Sequence, residues 1–281
     1  MNDGPSPTMP GITAAGLSDI GRKREDNEDA FGSHVPQDAD VLARRGRLFV
    51  VADGMGGEAA GEIASRTAVE VTLRAYFEDP DATPADALAR GIQRANAAIY
   101  EEARANPDRK GMGTTCTLIA LRGGDAFIAH VGDSRAYLIR DDRILRLTRD
   151  HSLRERGPAF AHILTRAVGV RPTVEVDVLR VPIAIHDRDM LLMCTDGLWG
   201  TLDDPELLRI VTESPEPEAA CKRLIERANE GGSDDNITAQ LVRVQEPELQ
   251  PPSWLRRAFR RVAVAATYDR LPWMTRKVGE A

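Results

Sequence analysis

The sequence predicts an α+β fold, in which strands and helices form separate groups. Short apolar or β-branched runs, which are typical of strands, concentrate in the middle of the chain. Helical periodicities occur in two pairs, one before residue 100 and one after residue 204. The sequence contains no internal repeat of solenoid length. These observations argue against alternating βαβ units.

The N-terminal part of the chain predicts a short leader followed by a pair of helices. Residues 1–11 contain three prolines among small polar residues, which indicates a flexible leader, so the body is expected to start near Ile12. Two later stretches have apolar residues at intervals of three and four, the pattern of helices that pack one face on a core. These residues are Ala64, Ala68, Val71 and Ala75, then Ala85, Leu88, Ile92, Ala95 and Ile99. Thr83 and Pro84 suit the N-cap and first turn of the second helix.

Eight runs are predicted to be strands. They are Leu48–Ala52, Thr114–Leu121, Ala126–Val131, Ala136–Arg140, Ile144–Thr148, Val174–Val181, Met190–Thr195 and Ile237–Val244. Gly123-Gly124 and Asp141-Asp142 predict tight turns between consecutive strands, so we expect residues 114–148 to form one antiparallel meander. Two further helices are expected at Pro205–Thr212 and Pro217–Asn229.

Composition restricts the class of protein. The chain has 281 residues, of which 42% are hydrophobic and 29% charged, as in ordinary globular proteins. No apolar stretch approaches the roughly 20 residues that a membrane helix needs, and residues 1–16 do not resemble a secretory signal. Cys116, Cys194 and Cys221 lie far apart in apolar runs, which indicates neither disulfides nor a zinc site. We therefore expect a cytoplasmic protein.

The net charge of −7 is unevenly distributed. From Pro251 to Ala281, seven basic and two acidic residues give a balance of +5, so the remainder holds 30 basic and 42 acidic residues, a balance of −12. An acidic body argues against nucleic acid as a partner and favours a cation-binding site.

The tail, residues 247–281, has the pattern of a basic amphipathic helix. Its apolar stripe consists of Leu255, Phe259, Val262 and Ala266, and its basic face consists of Arg256, Arg257, Arg260 and Arg261. Such a tail could contact an anionic membrane surface or an acidic partner, pack on its own acidic body, or have no fixed structure.

Carboxylates recur beside glycine or asparagine at the ends of predicted strands. Three predicted strands end in Asp53-Gly54, Gly132-Asp133 and Asp196-Gly197, and the last predicted strand is preceded by Asp235-Asn236. Each Asp-Gly pair alone is typical of a turn. If the four strand ends converge, however, the acids form an anionic pocket whose oxygen ligands suit Mg²⁺ or Mn²⁺.

A second cluster of charge lies between Ser18 and Asp29. It contains three cations and five acids. One interpretation is a solvated loop with weak local ion pairs. The other is an anion clamp, since a guanidinium such as that of Arg24 can hold two phosphate oxygens.

Six motifs in order carry a resemblance to a known family. They are Asp19-x-Gly21-x-x-Arg24-x-x-Asn27-Glu28-Asp29, Val51-Ala52-Asp53-Gly54-Met55-Gly56-Gly57, Gly113-Thr114-Thr115, Val131-Gly132-Asp133-Ser134-Arg135, Cys194-Thr195-Asp196-Gly197-Leu198-Trp199 and Asp235-Asn236-Ile237-Thr238. The set resembles the metal-dependent protein phosphatases of the protein phosphatase 2C type, including bacterial members, from about Ala14 to Val244. The resemblance implies a sandwich of two antiparallel β-sheets flanked by α-helices on both sides, in a phosphatase domain of residues 12–246.

The resemblance also implies a metal site and roles for its residues. Asp53 would bridge two Mn²⁺ or Mg²⁺ ions, the carbonyl of Gly54 would contribute a ligand, and Asp196 and Asp235 would hold the second ion. Asp133 and Asp196 would hold a third, weakly bound ion. Glu28 and Asp29 would support metal-bound waters, and Arg24 would bind the substrate phosphate.

The implied activity is hydrolysis of phosphoserine and phosphothreonine on proteins. A water between two divalent ions would attack phosphorus while the ions and Arg24 neutralise the phosphoryl oxygens, without a protein nucleophile. The implied partners are phosphorylated proteins and the opposing serine/threonine kinase, and a monomer is expected. Two alternatives remain: a regulatory or binding module of the same fold, and a hydrolase of small phosphorylated molecules.

The sequence departs from the family pattern in two places. Animal members of the family carry a histidine, thought to protonate the leaving group, at the position of Met55. Bacterial members commonly resemble this sequence there and lack the histidine. Metal-bound water could replace that acid, or His151 could contribute, although a lone loop histidine is more often structural. The segment Leu153–Ile163 is shorter than the flap of bacterial relatives, so substrate preference does not transfer from them.

Overall fold

The computed structural model describes residues 11–56, 59–78, 82–157, 160, 163–179 and 181–245. Apart from Gly11, the predicted leader lies outside these residues, as does the predicted tail, residues 247–281. The strands are β1 Gly11–Asp19, β2 Asp29–His34, β3 Arg47–Met55, β4 Gly113–Thr114, β5 Cys116–Arg122, β6 Asp125–Val131, β7 Arg135–Arg140, β8 Arg143–Arg146, β9 Asp177–Val178, β10 Ile183–Ala184, β11 Met190–Cys194 and β12 Ile237–Gln245. The α-helices are α1 Ala39–Arg45, α2 Ala59–Glu78, α3 Pro84–Ala105, α4 Asp196–Trp199, α5 Asp204–Glu213 and α6 Pro217–Glu230. Short 3₁₀ turns occupy Pro107–Arg109 and Arg154–Arg156.

The strands form two antiparallel sheets. The first has the order β1-β12-β11-β7-β8, and the second has the order β10-β6-β5-β3-β2, with β4 beside β3 and β9 beside β6. Helices α2 and α3 cover the outer face of the second sheet through side chains such as Ala68, Leu88 and Ile92. Helices α5 and α6 cover the first sheet through Leu207, Leu224 and their neighbours. The α+β sandwich with helices on both sides is therefore confirmed.

The space between the sheets is filled by a separate apolar cluster. Side chains of the second sheet, such as Val51 and Ile128, meet side chains of the first, such as Leu191, Met193 and Val242. These side chains alternate with those that face the helices, as the two-residue period of a strand requires. No helix among the described residues is long and apolar enough to cross a bilayer.

Local sequence features start and end the elements as predicted. The hydroxyl of Thr83 accepts a hydrogen bond from the Asp86 N–H at the start of α3, and Pro84 occupies its first turn. Asp141 and Asp142 both have positive φ, 48° and 59°, in the tight turn between β7 and β8. These short-range predictions needed only neighbouring residues, and the structure confirms them.

Two strand predictions are wrong. Residues 114–148 do not form one meander, because β5 and β6 pair in one sheet whereas β7 and β8 pair in the other. The chain changes sheet at Gly132, whose φ of 111° suits glycine. Within the described part of the run Val174–Val181, the strand β9 comprises only Asp177–Val178, and the Leu179 N–H donates to the Ile128 carbonyl at 2.9 Å.

Candidate active site

Strand ends from both sheets bring the predicted acids to one side of the sandwich. Asp53 lies near the end of β3, and Asp29 opposes it in register at the start of β2. Asp133 follows β6, Asp196 begins α4 directly after β11, and Asp235 precedes β12. Burial raises the pKa of Asp53 well above its ordinary value, and the charges of the other four acids raise it further. The five carboxylates therefore lie within electrostatic reach of one another.

The acids of this cluster are poorly compensated. Burial, helped by neighbouring carboxylates, raises the pKa of Asp29 and of Asp133 to about 7 and the pKa of Asp196 to about 6. The carboxyl groups of Asp196 and Asp53 lie within hydrogen-bonding reach of each other. The buried Oδ1 of Asp196 and Oε1 of Glu28 have no hydrogen-bond partner among the described residues. Like charges at this proximity are costly unless protons or cations neutralise them.

The donor set fits a hard divalent cation. Its polar atoms are carboxylate oxygens, including two buried oxygens without partners, and Mg²⁺ and Mn²⁺ prefer such ligands. Among the described residues, however, no three His, Cys, Asp or Glu side chains are arranged so that they could hold an ion as they stand. Asp235 is turned toward Arg24, with 2.7 Å between its Oδ2 and the guanidinium Nη2. If Asp235 holds an ion through Oδ2, that oxygen would have to exchange its contact with Arg24.

Threonines fix the backbone at Asp53. The Asp53 N–H donates to Thr115 Oγ1 at 2.9 Å, and the Asp53 carbonyl accepts from the Thr115 N–H and the Thr114 hydroxyl, both at 2.9 Å. Thr115 Oγ1 lies 2.7 Å from Ser134 Oγ, beside Asp133. These bonds connect the end of β3 to the turn after β6, so the positions of Asp53 and Asp133 depend on each other.

Glycine is required at position 54. A Cβ on Gly54 would lie 2.2 Å from the carbonyl oxygen of Gly61 and 2.5 Å from that of Glu28. The Gly54 N–H donates to the Glu28 carbonyl at 3.1 Å. This close approach holds the loop that carries Glu28 against the start of α2.

Two threonines that were not predicted as site residues bind Asp29. Its Oδ2 accepts hydrogen bonds from the hydroxyls of Thr195 at 2.8 Å and Thr238 at 2.7 Å. Both threonines belong to motifs of the family resemblance, but their partner lies 166 and 209 residues away in sequence. The contact therefore could not be read from local pattern. It fixes one oxygen of Asp29 beside the other acids.

Asn236 holds the loop that carries Arg24 and Glu28. Its Oδ1 accepts from the Glu28 N–H at 2.8 Å, and its Nδ2 donates to the carbonyls of Ile20 and Asp26, each at 2.9 Å. The loop between Ser18 and Asp29 is thus tied to the strand end that carries Asp235. Arg24 at its tip remains 48% exposed, as a cation that meets a ligand from solvent must be.

The structure does not favour an acid role for His151. The side chain is 4% exposed, its Nδ1 accepts from the Gly132 N–H at 3.1 Å, and its Nε2 lies 3.0 Å from Asp177 Oδ2. Because both ring nitrogens are engaged, His151 has no free proton for a leaving group. These contacts agree with a structural role for this histidine. Met55, at the end of β3, is half-buried and cannot donate a proton.

The segment Leu153–Ile163 brings a further cation to the site. Arg154 is exposed, and its Cζ lies 4.5 Å from the centroid of the Trp199 ring. Burial raises the pKa of Asp196, and the charge of Arg154 partly opposes that rise. Arg135 also stacks on Trp199, with its Cζ at 3.5 Å. Arg154 was not predicted as a site residue, because the shortened flap was the only sequence feature that pointed to this segment.

The cysteines offer no nucleophile here. Cys116, Cys194 and Cys221 are buried and free. Burial raises the pKa of Cys116 and of Cys221 to about 12 and raises that of Cys194 as well. Thiols of this kind are inert as nucleophiles.

Comparisons with known proteins agree with this geometry. The model of the protein phosphatase 2C family matches residues 20–242. The serine/threonine phosphatase Stp of Listeria innocua is 36% identical over 242 residues, which cover 80% of this chain and 93% of the relative.

Solved structures extend the likeness to three dimensions. The serine/threonine phosphatase of S. agalactiae aligns with a TM-score of 0.75 at 30% identity and covers 84% of this chain and 100% of its own. The catalytic domain of the phosphatase PstP, solved with two manganese ions, aligns with a TM-score of 0.71 at 30% identity, over 84% of this chain and 99% of its own. The chain therefore belongs to the protein phosphatase 2C family of metal-dependent phosphatases.

Proposed function

We infer that this chain is a protein serine/threonine phosphatase that depends on divalent cations and acts on phosphorylated proteins. The observation that carries the assignment is the group of poorly compensated carboxylates at converging strand ends, bordered by the half-exposed Arg24. Relatives named serine/threonine phosphatase and protein phosphatase, at 36% and 32% identity, support it.

The residue roles are part of the proposal. Asp53 would contact two ions, the Gly54 carbonyl would bind one of them, and Asp196 and Asp235 would hold the second. Bound ions of this kind supply Lewis acidity, which polarises phosphoryl oxygens and activates a water nucleophile. A third ion, more weakly held, would involve Asp133 together with Asp196.

The remaining side chains would bind the substrate phosphate and orient water molecules. Arg24 would donate two hydrogen bonds to the phosphate, which requires it to exchange its present bond to Asp235. Asp29, fixed by its two threonines, and Glu28 would orient waters. Met55 presents no proton donor, so the leaving serine or threonine oxygen would take its proton from water.

The wider setting is also proposed. We infer that residues 12–246 form the phosphatase domain and that residues 247–281 form an accessory tail for an anionic membrane surface or acidic partner. A cytoplasmic monomer that opposes a serine/threonine kinase fits the composition and the reaction class. The acidic body gives no reason to expect nucleic acid as a ligand.

Replacing Asp53 by Asn tests the proposal. With Mn²⁺ present, we expect the wild type to hydrolyse a phosphothreonine peptide and Asp53→Asn to lose about 10³-fold in kcat, because it loses ionic contacts that act in the transition state. Asp234→Asn is the matched control, since Asp234 lies beside Asp235 but is 72% exposed. The proposal is wrong if the wild type hydrolyses no phosphopeptide with Mn²⁺ or Mg²⁺. That result is expected of a regulatory or binding module. Faster hydrolysis of small phosphorylated metabolites than of phosphopeptides would favour the other alternative.

A further inference from the structure

The turn that leads into Asp133 is held by two buried histidines. The N–H of Gly132 donates to His151 Nδ1 at 3.1 Å, and the N–H of His151 donates to the Gly132 carbonyl at 2.7 Å. The same carbonyl lies 3.0 Å from His130 Nε2. The N–H and the carbonyl of Gly132 are thus both engaged directly before the acid.

Hydrogen-bond chemistry fixes the tautomer of each ring. A backbone N–H can only donate, so the Nδ1 of neutral His151 carries no proton and its Nε2–H points at Asp177 Oδ2, 3.0 Å away. A carbonyl can only accept, so His130 carries its proton on Nε2, and the hydroxyl of Thr117 donates to its Nδ1 at 2.9 Å. Burial lowers the pKa of His130 to about 3 and lowers the pKa of His151, in agreement with neutral rings.

Asp177 is itself fixed in place. It lies on β9 in register with His130, and its second oxygen, Oδ1, accepts from Arg166 Nη1 at 2.6 Å. Its side chain is 43% exposed and lines a cavity of about 460 Å³ on the edge of the second sheet. Asp177 therefore reaches the turn before Asp133 from outside the acid cluster.

We propose that Asp177 is a positioning residue for the active site: by accepting the His151 Nε2–H, it orients the imidazole that fixes the Gly132 backbone and, through it, the carboxylate of Asp133. The proposal rests on the role of Asp133 as a metal ligand. A carboxylate behind a histidine is a known way to fix ring orientation and tautomer near metal sites. Here the histidine acts one step further out, on the backbone before the ligand.

The turn is tight enough to transmit this effect. Gly132 has a φ of 111°, and a Cβ at this position would lie 2.5 Å from Thr115 Cγ2. Thr115 also bonds the backbone of Asp53 and the hydroxyl of Ser134. A rotation of the Gly132 backbone would therefore move Asp133 relative to Asp53.

Three variants test the relay. Asp177→Ala removes both acceptor oxygens. Asp177→Asn leaves one oxygen for two donors, the His151 Nε2–H and Arg166 Nη1, so its amide NH₂ must face one of them. Glu175→Ala removes another acid near Arg166, which lies 3.8 Å from Glu175. Glu175 is 79% exposed, so this variant controls for lost charge. The metal-free readouts are the amide exchange rate of Gly132 and the ¹⁵N shifts of the His151 ring. A third readout, which needs metal and substrate, is the Mn²⁺ concentration for half-maximal hydrolysis of a phosphothreonine peptide.

We expect Asp177→Ala to accelerate Gly132 exchange and to raise the half-maximal Mn²⁺ concentration by up to about 10-fold, the low end of the effect of losing a partner that bonds a metal ligand directly. Asp177→Asn should change both in the same direction, because Arg166 competes for its single oxygen, whereas Glu175→Ala should stay close to the wild type. The relay is refuted if Gly132 exchange is the same in Asp177→Ala and Glu175→Ala, or if neither Asp177 variant shifts the ¹⁵N signals of the His151 ring.

The test separates this proposal from the proposed function. An Asp133→Asn variant with unchanged Mn²⁺ dependence would remove the metal role of Asp133 and overturn the link from the relay to the site. Gly132 exchange and the His151 ring shifts are measured without metal or substrate, so they decide whether Asp177 fixes the turn in either case.

Discussion

Asp189 and Asp196 lie at the two ends of strand β11, and their surroundings are opposite. Asp189, just before the strand, has no exposed surface, and its two oxygens accept from Arg140 Nε at 2.8 Å and Nη2 at 2.6 Å. The His186 N–H donates to the same carboxylate at 2.6 Å. Asp196, just after the strand, has a buried oxygen without a partner among the described residues, and other acids surround it.

The difference shows how a structural acid can be distinguished from one proposed to bind a cation. Burial alone does not separate the two, since Asp189 is the more buried. The distinction lies in whether the fold compensates the charge: a fork-shaped guanidinium does so for Asp189, whereas Asp196 faces further carboxylates. Uncompensated charge held by a rigid strand is what a cation-dependent site requires.

The largest effect on folding should come from the compensated end. Asp189→Ala leaves Arg140, which is 6% exposed, as a buried cation without its carboxylate. We expect the free energy of unfolding to fall by about 3–5 kcal/mol, since breaking a buried ion pair costs this much. Urea denaturation of the metal-free protein measures it.

A double variant controls this experiment. Arg140→Met with Asp189→Leu removes both charges, and replacement of a buried pair by apolar residues is often neutral. We expect it to regain most of the lost stability. Equal destabilisation by Asp189→Ala and Asp196→Asn would contradict the comparison between the two ends.

The uncompensated end should reveal itself through pH. In the metal-free protein the pKa of Asp196 is raised to about 6 and those of Asp29 and Asp133 to about 7. An acid whose pKa is raised by folding stabilises the fold most below its unfolded pKa, about 3.9 for Asp, and loses that contribution as pH rises through the folded pKa. Between pH 5 and pH 8 the unfolding free energy of the wild type should therefore fall relative to Asp196→Asn. From below the unfolded pKa to above the folded pKa, the fall should total about 1.4 kcal/mol for each tenfold difference in the proton affinity of Asp196 between the two states, and roughly half of it lies above pH 5.

Addition of Mn²⁺ provides the control for the pH experiment. A cation that binds the ionised acids stabilises the folded state most at high pH, so saturating Mn²⁺ should abolish or reverse the slope of the wild type. The Asn variant should respond less. A wild type and an Asp196→Asn variant with parallel pH profiles in the absence of metal would show that the acids are already compensated.

Short-range features were predictable from the sequence, and long-range contacts were not. Strand runs, helix caps and the turn at Asp141-Asp142 depend on neighbouring residues, and the structure confirms them. The passage between sheets at Gly132 was missed, because consecutive apolar strands predict pairing and do not say with which sheet. Strand β2 and helix α1 were not predicted either.

The candidate site divides in the same way. Its acids could be selected because each lies in a motif at a strand end. Their partners could not, because the contacts of Asp29 with Thr195 and Thr238 and of His151 with Asp177 depend on how the two sheets and the connecting loops pack. Resemblance supplied the order of the motifs, and the packing supplied the reason why Asp29 and Asp133 hold their positions.

The smallest effect should come from the exposed ion pairs at the rim. Lys23 bonds Asp234 and Arg24 bonds Asp235, and the four side chains are between 35% and 72% exposed. Because solvent screens such pairs, Lys23→Ala and Arg24→Ala should each change the unfolding free energy by less than about 1 kcal/mol. Their effects on catalysis should differ: Arg24→Ala loses charged hydrogen bonds to phosphate, so kcat/KM should fall by about 10- to 100-fold, whereas Lys23→Ala should leave it nearly unchanged. Equal losses from the two variants, measured on one phosphothreonine peptide, would mean that general positive charge at the rim attracts the substrate and that Arg24 has no special contact with it.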